Sequence, residues 1–225
     1  MINSFLKYLD FEKRSSKHTI TAYTNDLQQF TGFLVQHYQS LAPENADYQI
    51  IRTWIMELSQ DDIVPRSINR KIACLRSFYK FLMARGKISM NPMLKIKSLK
   101  TKKQLPVFVA ENSLETLLNL DIFSNDFFGI RDKFMLEMFY GTGIRLAELI
   151  GLTESSINIF DRTVRVLGKG NKERTIPLGN PAMRALEIWL KDGRDALKNS
   201  LSGTAVFLGA RGKRIDQRTV RTVVY

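Results

Sequence analysis

The feature that most limits what this chain can fold into is a change of hydrophobic period. Through the first 97 residues apolar side chains recur every three to four positions: Ile2, Phe5, Leu6 and Leu9, then Ile20, Tyr23, Leu27, Phe30 and Leu34, then Ile51, Trp54, Ile55 and Leu58, then Ile68, Ile72, Leu75, Tyr79 and Leu82. That spacing predicts four amphipathic helices, each with one face turned to a shared core. Ser15 and Ser16 are cap candidates for the second helix, and Pro65 suits the first turn of the fourth, which closes near Gly86. After Gly151 the repeat shortens to two. "SINI" (Ser156 to Ile159), "TVRVL" (Thr163 to Leu167) and "TIPL" (Thr175 to Leu178) predict three short antiparallel strands.

Helices surround these strands. Asn112 and Glu115 form a capping-box pattern ahead of Leu114, Leu117 and Leu118, and a further helix runs through Phe134, Met135, Met138 and Phe139 to Gly141. Asn180 and Pro181 open another, carrying Ala185, Leu186, Ile188, Trp189 and Leu190; a short strand at Ala205 to Leu208 and a final helix from Asp216 follow. Between the halves, "NPMLKIKSLKTKKQLPVF" (Asn91 to Phe108) has two prolines, five lysines and no clear period. The expected organisation is a helical domain over 1–97, a basic linker over 98–107, and a second domain over 108–225. The fold class is mainly α with a small antiparallel β-sheet.

Composition narrows the partner. The chain has 34 Lys and Arg against 22 Asp and Glu, a net charge of +12. From Ile63 to Ala110 there is no acidic residue and there are twelve basic ones, so this stretch carries the whole excess. Clustered cations release counterions from a polyphosphate, which makes duplex nucleic acid the leading partner. An anionic membrane fits less well, because no amphipathic anchor rich in Trp or Phe accompanies the charge; a solvated charged face is the bland alternative. No apolar run approaches the roughly 20 residues a membrane span requires, and the first residues lack signal-peptide order, so the cytosol is the expected compartment. One cysteine, Cys74, excludes an internal disulfide, and with only His18 and His37 besides it no metal site is expected. The bland reading makes both histidines surface residues and Cys74 a packing residue.

Two motifs carry candidate chemistry. "GTGIRLAELIGL" (Gly141 to Leu152) sets Arg145 and Glu148 three apart in an otherwise apolar segment after a glycine turn; a surface ion pair is the bland reading. "GKGNKER" (Gly168 to Arg174) holds Lys169 between two glycines at a hairpin turn, with Lys172 and Arg174 beyond it. An ordinary solvated turn can have this composition. A nucleotide-phosphate loop cannot, since its Lys would precede Ser or Thr at a strand-to-helix turn.

Together, "TGIRLAEL", "GKGNKER" running into "TIPL", "RSINRKIACLRSFYKFL" and "HTITAYTNDLQQF" resemble the tyrosine recombinase (phage integrase) superfamily, and within it the Xer-type site-specific recombinases, over essentially the whole chain. The resemblance implies an N-terminal four-helix core-binding (SAM-like) domain plus a mixed α/β catalytic domain that close around duplex DNA. A tyrosine hydroxyl attacks the scissile phosphate to give a 3′-phosphotyrosine bond and a free 5′-hydroxyl, with no cofactor, metal or ATP. By the same resemblance Arg145 binds the phosphate oxygens, Lys169 protonates the leaving 5′-oxygen, and Glu148 buttresses the arginine. Thr19, Arg66, Arg70, Lys71, Arg76, Lys102, Lys103, Lys172 and Arg174 are the expected DNA-binding set.

One departure matters. The family's His–x–x–Arg box, its further His or Trp and its terminal nucleophilic tyrosine have no counterpart here, and Tyr225 is expected to pack rather than react. The catalytic domain therefore reads as incomplete, and the 225-residue polypeptide is expected to bind DNA without cutting it, as a monomer rather than as the tetrameric synapse of complete recombinases. The competing class is a DNA-binding module or regulator that occupies recombination sites. A type IB topoisomerase shares the catalytic logic, but its layout does not account for the N-terminal helices.

Overall fold

Ser16 accepts the Thr19 amide at 3.2 Å and starts the long second helix where the sequence places its cap. In the computed structural model the described residues are 1–101, 118, 123–168, 170 and 172–224. The chain divides into two units, Met1–Pro106 and Val107–Tyr225.

The first unit consists of α1 (Ile2–Lys7, continued as a π turn over Tyr8–Glu12), α2 (Lys17–His37), α3 (Tyr48–Gln60) and α4 (Pro65–Ala84). Its core takes the predicted stripes: Phe5, Leu27, Phe30, Leu34, Ile51, Trp54, Ile68, Ile72, Leu75, Tyr79 and Leu82 are all buried. Each such side chain contributes about 1.5–3 kcal/mol of transfer free energy. The Tyr79 hydroxyl keeps a partner by donating to the Pro43 carbonyl at 2.6 Å. Cys74 is buried on α4, 3.6 Å from the Tyr23 carbonyl of α2, and burial pushes its thiol pKa well above the usual range.

The basic stretch after α4 does not leave the bundle at residue 98. Arg76 donates to the Ile96 carbonyl at 2.9 Å, and Asn69 grips the Leu99 backbone from both sides, at 2.9 and 2.7 Å. Lys95, Lys97 and Lys100 remain exposed along a segment stitched onto α4.

In the second unit α5 (Phe127–Thr142) starts at Asp126, whose carboxylate accepts from the Phe128 and Gly129 amides at 3.0 and 2.9 Å. It ends at Gly143, which adopts φ 59°, a left-handed conformation that costs glycine little. Next come α6 (Leu146–Gly151) and an antiparallel sheet in the order β1 (Ile157–Asn158), β2 (Thr163–Leu167), β3 (Glu173–Pro177). Val164 faces Ile176 and Val166 faces Arg174. A helix α7 (Asn180–Ile188) passes into a π turn, Trp189–Arg194, and a last helical turn, Asp195–Leu197. Trp189 and Phe134 lie on Phe207, with ring centroids 6.4 and 4.9 Å away, and α8 (Gln217–Val224) buries Val220. Asp216 caps α8 through the Thr219 amide at 2.8 Å.

Three sequence expectations need adjusting. The first strand is shorter than Ser156 to Ile159, because Ser156 closes a 3₁₀ turn and Ile159 lies beyond the paired residues. The third starts at Glu173 rather than Thr175, which draws Arg174 into the ladder. Ala205 to Leu208 contributes isolated bridges, Thr153 with Ala205 and Leu208 with Arg214, rather than a strand. All four of its side chains are buried, so there is no inside–outside alternation to sustain one. The expected helix at Asn112 to Leu118 lies outside the described residues apart from Leu118, as do most of the linker and Tyr225. Among the described residues no helix is long and apolar enough to cross a membrane.

Candidate functional site

Arg145 sits where α5 gives way to α6. Gly143 turns the chain, the Thr142 hydroxyl accepts the Ile144 amide at 3.2 Å, and Arg145 with φ −79° and ψ 153° becomes the residue preceding α6. Its own amide donates to Glu148 Oε2 at 2.9 Å, and its Nη1 donates to Glu148 Oε1 at 3.0 Å. The two side chains end up in opposite environments: Glu148 is 4% exposed and Arg145 is 68% exposed. Among the described residues the Arg145 guanidinium bonds only to Glu148, through one nitrogen. The rest of its planar fork faces outward.

A second guanidinium completes the arrangement. Arg174, on β3, donates from Nη1 to Glu148 Oε1 at 2.8 Å and from Nη2 to Oε2 at 2.7 Å. These bonds, with lesser help from the Arg145 backbone and side chain, outweigh burial and hold the Glu148 carboxyl at about 2, below the usual carboxylate range. The far end of α6 is fixed as well: Arg214 Nη1 donates to the carbonyls of Ile150 at 2.6 Å and Leu152 at 3.0 Å. One carboxylate shared by two guanidinia leaves one unit of positive charge at the surface. An always-charged, planar, outward-facing donor of this kind suits the non-bridging oxygens of a phosphodiester.

The sequence-predicted residues meet different fates. Arg145 and Glu148 are brought together, as their spacing suggests. Lys169, Lys102 and Lys103 lie outside the described residues. Lys172 is exposed at the hairpin, and its carbonyl accepts the Gly168 amide at 2.8 Å. Arg174, in the expected DNA-binding set, has both Nη atoms on Glu148 and is 37% exposed.

In the first unit Arg66, Arg70 and Arg76 are exposed on α4, and Thr19 is half-buried, its hydroxyl 2.9 Å from that of Ser16. Lys71 is corrected: it is 4% exposed, its ammonium donates to Asp26 Oδ1 at 3.0 Å and to Gln29, and it points into the bundle. A phosphate cannot reach it without unpacking α2 from α4. Arg70 bonds the same Asp26 and also the Ala22 carbonyl at 3.2 Å. Sequence reasoning missed Asp26, Arg214 and the partner of Arg174. For the first, a signal existed: Asp26 falls three residues after Tyr23 and four before Phe30, on the apolar stripe of α2.

Comparison with known proteins supplies the family. The Phage integrase family matches residues 107–225, and the phage integrase N-terminal SAM-like domain matches residues 2–86. The chain is 37% identical to a tyrosine recombinase XerC of Oceanobacillus iheyensis, with 99% of this chain and 73% of that protein covered. It is also 37% identical to a tyrosine recombinase XerC of Bacillus licheniformis, over 98% of this chain and 72% of the relative. In fold it is similar to a lambda integrase solved as a tetramer bound to a Holliday junction: TM-score 0.69, 16% identity, 99% of this chain and 60% of that one covered. With both halves of the sequence matched and relatives aligned along nearly all of it, the chain belongs to the phage integrase family, and its homologues are Xer-type tyrosine recombinases.

Proposed function

We propose that this chain serves site-specific DNA recombination, holding a backbone phosphate of duplex DNA against Arg145 while a tyrosine hydroxyl attacks it. The observation that carries the proposal is the Arg145–Glu148 pair: a buried carboxylate anchors an arginine whose fork faces solvent. Charge on the non-bridging oxygens grows as the phosphorus becomes five-coordinate, and a fixed guanidinium stabilises that growth without having to reorganise. The tyrosine hydroxyl gives up its proton to a base as its oxygen bonds to phosphorus, the bond from phosphorus to the 5′-oxygen breaks with its electron pair on that oxygen, and the leaving oxygen takes a proton. Lys169, which falls between β2 and β3 in the sequence, is the proposed donor. One phosphate ester is exchanged for another of similar energy, so rejoining requires no outside energy.

In this reading the first unit supplies grip, through Arg66, Arg70 and Arg76 on α4 with the exposed lysines beside it. Its partners are duplex DNA and further recombinase protomers in a tetrameric synapse. No His–x–x–Arg occurs in these 225 residues, so they are proposed to bind duplex DNA without cutting it, and a monomer is the proposed form in solution. That also keeps alive a second reading, a module that occupies recombination sites without chemistry.

The test is a nicked suicide duplex offered to the 225-residue chain and to a version carried on into its downstream reading frame. The proposal expects retarded DNA with both, and a covalent adduct only with the longer one. Arg145→Ala should remove that adduct while changing duplex affinity less than about threefold. A longer chain that binds but never forms an adduct would favour the non-catalytic module, and an adduct from the 225 residues alone would overturn the division of labour proposed here.

A further inference from the structure

We infer that Arg174 is a positioning residue for phosphate recognition: it seats the Glu148 carboxylate so that Arg145 turns its guanidinium outward with one positive charge in excess. The inference rests on the proposed role of Arg145 and goes beyond it, because it assigns to Arg174 a task other than touching DNA.

A carboxylate offers about four lone-pair sites. Glu148 fills them with the Arg145 amide, the Arg145 Nη1 and both Nη atoms of Arg174. Planar guanidinium bonded through two parallel N–H groups fixes the plane of its partner. Without Arg174 the carboxylate would be free to rotate and take both of the nearer arginine's Nη groups, drawing inward the donors meant for phosphate. Glu148 and Arg145 alone sum to zero, and Arg174 restores the excess that makes the turn attractive to an anion.

Space around the pair is also matched to it. Gly168 stands at the base of the hairpin, where a Cβ would come 3.2 Å from Arg174 Nη1 and 3.3 Å from Glu148 Oε1. Glycine leaves room for the ion pair to close there, which ties the hairpin base to the Arg145 turn. A direct DNA contact by Arg174 would first have to break bonds of 2.8 and 2.7 Å to a buried carboxylate, which is costly.

Nuclear magnetic resonance of the 225-residue chain tests this, with inorganic phosphate and then duplex DNA as probes, reading the Arg145 and Arg174 side-chain N–H signals and the Glu148 carboxyl carbon. In the native chain the Arg145 signal should move on adding phosphate while Arg174 stays on Glu148. Arg174→Gln should weaken the phosphate response of Arg145 by roughly 5- to 10-fold and raise the Glu148 titration midpoint; Arg174→Lys, keeping the charge but not the fork, should fall between. Gly168→Ala should move the Glu148 midpoint in the same direction. A purely structural Arg174 would change melting temperature and the Glu148 midpoint but leave the phosphate response of Arg145 in the folded protein. An unchanged phosphate response in Arg174→Gln, or an Arg174 that leaves Glu148 when duplex is added, would overturn the inference alone. A native Arg145 that ignores both probes would take the proposed function down with it.

Discussion

Each unit of this protein has a buried carboxylate holding two cations, and the two sites are built to different ends. In the first, Asp26 on α2 binds Arg70 and Lys71 of α4, partners 44 and 45 residues away, and is itself 1% exposed. Lys71 is buried with it. In the second, Glu148 binds Arg145, three residues before it, and Arg174, 26 residues after it, and both of these reach solvent, with side chains 68% and 37% exposed. The ion count is the same. What differs is the fate of the second cation: enclosed, it staples two helices; left open, it becomes part of a surface that can meet an anion.

The most severe way to break this comparison is to remove the enclosed carboxylate. Asp26→Asn strands a buried ammonium and should destabilise the first unit by about 3–5 kcal/mol in denaturant unfolding. Replacing Asp26 and Lys71 together by Leu and Met should recover most of that loss, since apolar groups of similar volume can substitute for a buried pair. Glu148→Gln comes next, at about 1–2 kcal/mol, because its former partners can turn to water. If it costs as much as Asp26→Asn, the distinction between staple and display fails.

Acid gives a gentler test. The folded Glu148 carboxyl is held at about 2 from an ordinary 4.5, so its stabilisation is fully present above about pH 4.5 and is lost as pH falls toward 2. Unfolding of the second unit, measured across that window, should flatten in Glu148→Gln. The smallest effect concerns DNA. Arg66→Gln or Arg76→Gln should each reduce the log–log salt slope of duplex binding by about 0.9, whereas Lys71→Met, buried from the start, should leave the slope unchanged.

How much of this was legible in the sequence depends on whether a residue's partner was local. The helices of the first unit followed from their stripes, and the Arg145–Glu148 pair followed from a three-residue spacing on a helix start. Lys71 stands in the expected DNA-binding set as one of the cations of the acid-free stretch. Yet it lies three residues after Ile68 and four before Leu75, on the inward stripe, and Asp26 holds the corresponding position on α2. Two opposite charges on facing apolar stripes were the signal, and it could be used only by considering both helices at once. Arg174 was harder. Alternation places it on the same side of β3 as Ile176, but that Glu148 would serve two arginines depends on how the hairpin returns to α6. The failed strand at Ala205 to Leu208 shows the opposite limit, where four buried residues in a row satisfy an irregular segment as well as a ladder.

Cys74, finally, gives the helical unit a built-in clock. It is the only thiol in the chain, it is enclosed between α2 and α4 beside the Asp26 staple, and burial keeps it in its unreactive protonated form. Alkylation at this sulfur therefore times the moments when those two helices part, and its slowing on a bound duplex would report how firmly nucleic acid holds them shut.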